Sequence, residues 1–155
     1  MKLRRLLALC LSAFAIFVNA ENIIRVSTGQ TDLVFRVADN GRLYQSYLGH
    51  HLNHASDLNH LSAGTEAYLT HGMEDYFEPA LDIRHSDFNP STLLKYDRHE
   101  ESKANDGGTE TTIYLKDPVY KTQVVMHFVA YAKENIIKTW TEITNAENKP
   151  VSLVK

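Results

Sequence analysis

Cysteine is almost missing from this sequence. The single one, Cys10, sits in an apolar run near the start, so no disulfide within the chain can form and a packed core has to hold the fold. Cations are not in surplus either. Lys and Arg total 16 against 19 Asp and Glu, a formal net charge of −3, which leaves no basic excess to neutralise a phosphate backbone and excludes charge-driven nucleic-acid binding. Long apolar stretches are scarce. The run from Leu6 to Val18 falls short of the roughly 20 residues of a membrane-spanning helix, and no later segment approaches that length. No Ser or Cys has the surroundings of an activated nucleophile, and no glycine-rich loop opens a helix. At 155 residues the chain is also too short for a (β/α)₈ barrel, which takes about 250.

What is present suits one folded domain: 43% hydrophobic and 10% aromatic residues bury enough apolar surface to offset the ordering entropy. Lys2, Arg4 and Arg5 precede the apolar run, and Val18-Asn19-Ala20 then meets the polar pair Glu21-Asn22. That pattern predicts a secretory signal peptide over residues 1–20, and hence an exported protein, periplasmic or extracellular, with no membrane anchor after cleavage. Cys10 follows Leu9 and not a small residue, which argues against a lipidated N-terminus. Residues 21–155 form the remaining domain.

Beyond the leader the chain alternates with period 2 and is punctuated by Gly, Pro, Asn and Asp. Leu33, Phe35 and Val37 alternate with Val34 and Arg36, then Asp39-Asn40-Gly41 separates them from Leu43 to Leu48, a hairpin signature. Ile23 to Val26 precedes it across another turn. Leu81 and Ile83 alternate with Asp82 and Arg84. Asp106-Gly107-Gly108 divides Leu93–Glu101 from Thr111–Leu115. From Val119 to Ala132 the even positions Tyr120, Val124, Met126, Phe128 and Ala130 make one apolar face, and Ile136 to Thr144 follows as a further strand. No apolar stripe at helical spacing occurs after the leader. The expected fold is all-β, an antiparallel β-sandwich. Val151 to Val154 reads as a strand left unpaired, so the sandwich is expected to be incomplete at its C-terminal end.

Three features are candidates for chemistry. His50, His51, His54, His60 and His71, with Asp57, fall in the one long irregular segment; imidazoles with a carboxylate suit zinc, whereas a polar loop rich in His and Asn is the plainer reading, because the spacing lacks the Glu beside the first His of the metalloprotease helix. Glu74, Asp75 and Glu78 form the densest acidic cluster, between Gly72 and Pro79. Paired carboxylates hydrolyse glycosides when they face each other across the sugar. Neighbours in one loop do not make such a pair, but an ionised carboxylate binds sugar hydroxyls well. Trp140 could stack on a sugar, although packing in or beside the core is the more ordinary role. His85, His99 and His127 lie on expected strands, where hydrogen-bonded structural histidines are common. Nothing here calls for a cofactor or a metal.

Two ordered blocks and an opening segment carry a family resemblance. The first block runs Asp75-Tyr76-Phe77-Glu78-Pro79-Ala80-Leu81-Asp82-Ile83-Arg84-His85-Ser86-Asp87 and on through Asn89-Pro90-Ser91 to Tyr96 and His99. The second joins Leu115-Lys116-Asp117-Pro118-Val119-Tyr120 to Ile136-Ile137-Lys138-Thr139-Trp140-Thr141-Glu142-Ile143-Thr144-Asn145. With the opening Arg42-Leu43-Tyr44-Gln45-Ser46-Tyr47-Leu48-Gly49, these resemble the N-terminal domain of glycoside hydrolase family 36 α-galactosidases, in family order from about Ile23 to Lys155. Phe88 stands where the family often has Gly.

The resemblance implies a β-supersandwich that precedes a (β/α)₈ catalytic barrel bearing two catalytic aspartates. It implies that this chain is a partial N-terminal domain of an exported, retaining α-galactosidase acting on terminal α-galactosides, with no catalytic residue of its own and a missing barrel domain as its partner. Asp75 matches a family position that reaches a galactoside or oligosaccharide, often across a homo-oligomer interface. The alternatives are a stand-alone carbohydrate-binding sandwich using the tyrosines, Trp140 and the acidic loop, and a periplasmic metal-binding protein using the His-rich loop.

Overall fold

The computed structural model describes residues 23–73 and 77–155; the leader assigned to residues 1–20 lies outside the described residues. Strands β1 (Ile23–Ser27), β2 (Thr31–Val37), β3 (Leu43–His50) and β4 (Thr65–Glu66) form one antiparallel sheet in that order. A short pair joins β5 (Ile83–Arg84) to β10 (Ser152–Leu153), and β6 (Lys95–Lys103), β7 (Thr109–Lys116), β8 (Thr122–Tyr131) and β9 (Ile136–Asn145) make a second antiparallel sheet, again in chain order. Among the described residues the sole helical segment is a 3₁₀ turn at Ala55–His60. No helix there is long and apolar enough to cross a membrane.

Local chemistry sets these strands. Gly41 takes φ +79° and its N–H donates to the Ala38 carbonyl at 2.8 Å, closing the β2–β3 turn with a conformation that glycine adopts without steric cost. The Asp117 carboxylate accepts from the N–H groups of Val119 and Tyr120, at 2.7 and 2.8 Å, and from Leu93 N–H at 2.7 Å. One buried acid thus shapes the β7–β8 connection and ties it to the approach to β6.

Period-2 patterning then builds the core. In β8 the residues Thr122, Val124, Met126, Phe128 and Ala130 are buried, and Val124 and Phe128 face inward with Ile113 and Leu115 of β7 and with Ile24, Val26, Leu33 and Phe35 of the other sheet. Phe35 and Phe128 meet at 5.0 Å between ring centroids. The all-β antiparallel sandwich expected from the sequence is what the chain forms.

Three details differ from the sequence reading. Strand β2 is buried on both faces: Leu33 and Phe35 point to the core, and Asp32 and Val34, outward by register, are also closed off from solvent. The segment after β3 is bonded across that outer face, Arg25 and Arg36 donating to the carbonyls of Leu52 and Leu58 at 2.7 and 2.9 Å. Secondly, the strand expected to be unpaired near the C-terminus pairs with β5, Ser152 opposite Arg84 and Leu153 opposite Ile83. Thirdly, Trp140 lies on the outward side of β9, 37% exposed, where a place in or beside the core was expected.

Candidate functional site

The acidic loop leaves the sandwich through a stitched neck. Thr70 bridges Leu81 in parallel, His71 N–H donates to the Leu81 carbonyl at 3.2 Å, and Ala80 N–H donates to the Leu69 carbonyl at 2.9 Å. Gly72 sits at φ +90°, and a Cβ there would lie 2.6 Å from the Ser91 Cβ, so backbone packing and dihedral both require glycine. Met73 is buried, whereas Phe77 and Glu78 are exposed. Glu78 pairs with Lys155, whose ammonium holds the carboxyl below its usual range. Glu74 and Asp75, the latter the residue expected to bind sugar hydroxyls, lie outside the described residues. The structure describes the residues on either side of them, stitched together at Thr70 and Leu81.

The His-rich segment does other work. His51 lies 3.3 Å from both the Ser27 hydroxyl and the Asp32 carboxylate, and His54 N–H donates to Asp57 across the 3₁₀ turn at 3.2 Å. Among the described residues no three His, Cys, Asp or Glu side chains gather as a metal group would. Asp32, fully buried, accepts from Arg25 at 2.5 Å and from Leu52 N–H at 2.7 Å. Burial by itself raises its pKa, but the hydrogen bonds from Arg25, Leu52 and Ser27 prevail and hold it below the ordinary carboxylate value.

Trp140 does not offer a free face pair for sugar stacking. Its indole lies 4.5 Å from the His127 ring with the planes 1° apart, and the Lys138 ammonium is 5.2 Å from its centroid. His127 is in turn held by Glu110 at 2.9 Å. The structural reading of the strand histidines holds here, and for His99, which meets the Tyr96 hydroxyl at 2.7 Å.

A second constellation, around His85, is not legible from residue spacing. That ring is buried; its Nδ1 lies 2.7 Å from Glu147 Oε1 and its Nε2 2.9 Å from the Thr92 hydroxyl. It stacks on Tyr120 at 3.6 Å with the planes 5° apart. The Tyr120 hydroxyl donates to Asp87 at 2.9 Å and accepts from the Asn89 amide at 2.8 Å. Ser86 donates to Glu147 Oε2 at 3.0 Å. Burial raises the Glu147 pKa, yet the bonds from His85 and Ser86 outweigh it and leave the carboxyl low; Asp87 is lowered by Asn89 N–H and the Tyr120 hydroxyl. Three loops meet here around a cleft of about 430 Å³. The pairing of His85 with a residue 62 positions away is the kind of contact that sequence spacing does not encode.

Beside this cleft Phe88 has φ +69° and is 81% exposed. The left-handed conformation costs a bulky L-residue roughly 1–2 kcal/mol, a cost that glycine would not carry.

The family profile described as the glycosyl hydrolase family 36 N-terminal domain matches residues 38–155. Among solved structures, the α-galactosidase of Lactobacillus brevis superposes with a TM-score of 0.73 at 14% identity, over 87% of this chain and 23% of that one. The family 36 α-galactosidase AgaB of Geobacillus stearothermophilus gives 0.73 at 17% identity, over 86% and 22%. A variant of its AgaA counterpart, in complex with raffinose, gives 0.74 at 17% identity, over 84% and 23%. These likenesses establish a shared fold, and the chain spans less than a quarter of the length of each. No curated protein sequence matches it significantly. The extent of the profile match, from residue 38 to residue 155 and so well over half of the chain, shows that this chain belongs to the glycosyl hydrolase family 36 N-terminal domain family.

Proposed function

We propose that this chain serves as the non-catalytic N-terminal sandwich of an exported, retaining α-galactosidase that removes terminal α-galactosyl residues, with the bond broken on a catalytic domain outside these residues. The observation that carries this reading is the family match over residues 38–155, together with solved relatives about four times as long that are themselves α-galactosidases. In this proposal residues 1–20 direct export to the periplasm or the medium, and 21–155 are the sandwich domain. Asp75, two residues after Met73 in the sequence, accepts hydrogen bonds from galactose hydroxyls and orients the ring without taking part in bond cleavage. Assembly into a homo-oligomer would bring Asp75 to a neighbouring catalytic domain.

Two results test it. The purified 155-residue chain turns over no aryl α-galactoside above a heat-treated control; heat-sensitive turnover refutes the non-catalytic role. The exported product begins at Glu21; an intact Met1 on secreted material refutes the leader. A self-standing binding module built on Trp140 is the weaker reading, because the indole already has the His127 ring against it.

A further inference from the structure

We propose that the cleft where Ser86–Asp87, Val119–Lys121 and Glu147–Lys149 meet is a binding subsite for a single neutral pyranose ring. At about 430 Å³ it sits toward the low end of small-molecule sites, which run to about 300–1,000 Å³; that suits one ring and not an extended chain.

Its polar groups are set before any ligand arrives. The His85 ring is buried, bonded at both nitrogens to Glu147 and Thr92, and packed flat on Tyr120. Tyr120 is fixed a second time through its hydroxyl, by Asp87 and Asn89. Binding therefore needs no reordering of His85, Tyr120 or Glu147, which lowers its entropic cost. Glu147 Oε2 accepts from both the hydroxyl and the N–H of Ser86, whereas Oε1 meets His85 alone; a carboxylate oxygen has two acceptor sites, so Oε1 keeps one for a ligand.

Charge selects the ligand class. Two carboxylates, Asp87 and Glu147, are balanced by two ammonium groups, Lys121 and Lys149, with the Asn148 amide between. A net-neutral lining favours neither a phosphate nor a metal cation. Alternating acceptors and donors instead match vicinal hydroxyls, each of which gives one hydrogen bond and accepts two. The lining adds apolar surface for the C–H face of a sugar, because Val119 is 78% exposed.

The subsite needs neither Asp75 nor a catalytic domain, but the choice of a sugar over other polyols rests on the proposed function. The test is an amide NMR titration of the 155-residue chain with methyl α-D-galactopyranoside and with raffinose, and with inorganic phosphate as the anion control. Saturable shifts are expected at residues 86–87, 119–121 and 147–149, with a Kd of about 1 mM or weaker. A Lys121→Ala, Asn148→Ala double variant leaves every hydrogen bond of His85, Tyr120 and Glu147 in place and is expected to bind about tenfold more weakly, with the rest of its spectrum unchanged. No saturable shift with either sugar overturns the proposal. So do shifts with phosphate alone, unchanged affinity in the double variant, and shifts confined to the neighbours of residues 73–77. The last of these would still support Asp75, and the outcome of the hydrolysis assay leaves this result untouched.

Discussion

Strand β2 and strand β9 are both long, antiparallel and rich in β-branched residues, yet the first is closed off on both faces and the second is exposed along nearly its whole length. The difference is one of position relative to cover. In β2, Leu33 and Phe35 press on the second sheet while Asp32 and Val34 lie under the segment that follows β3. In β9, Ile143 stands opposite Val124 of β8, and Val124 is fully buried where Ile143 is 43% exposed. The core reaches β9 through Ile137, near one end of the strand, and thins out along the rest. Apolar burial therefore holds β2, and β9 depends chiefly on its ladder to β8, since stabilisation tracks the apolar area removed from water.

The sharpest way to break that contrast is a truncation in each region. Phe35→Ala removes a ring from the Phe35–Phe128 contact and is expected to destabilise by about 3–5 kcal/mol in denaturant unfolding. Next is Asp32→Ala, which leaves Leu52 N–H and Arg25 without their acceptor and is expected to cost about 2 kcal/mol. The same group sets a pH dependence. Its pKa is lowered on folding, so its contribution is present above the unfolded value of about 3.9 and is lost as pH falls through the lower folded value; in the variant that acid-side loss should shrink. Trp140→Ala, on β9, removes the His127 stack and the Lys138 contact and is expected to cost about 1 kcal/mol. A cost equal to that of Phe35→Ala would abolish the distinction between the two strands. The smallest effect has the opposite sign: Phe88→Gly relieves the left-handed backbone, partly offset by a more flexible unfolded chain, and is expected to stabilise by about 0.5 kcal/mol.

How much of this was legible in the sequence depended on range. The β2–β3 hairpin and the alternation of β8 could be read because turn residues and period-2 burial are local properties. The double burial of β2 could not, since Val34 looks like any outward valine until Arg36 reaches Leu58 and Arg25 reaches Leu52. Trp140 was misplaced for a related reason: residue type favours burial, but β9 has no second layer over it. Around the acidic loop, Gly72 and the Thr70–Leu81 neck bracket the stretch that the sequence singled out. The His85–Glu147–Tyr120 cleft was invisible, because its three parts come from separate loops and only the folded sheets bring them together.

The proposed function gives this chain no nucleophile of its own. A retaining glycosidase forms a covalent glycosyl-enzyme intermediate, so the most direct measurement is the intact mass of the purified chain after incubation with an activated fluorinated galactoside that traps that intermediate. The account predicts an unchanged mass. A single stoichiometric galactosyl adduct on any carboxylate of this chain would contradict it.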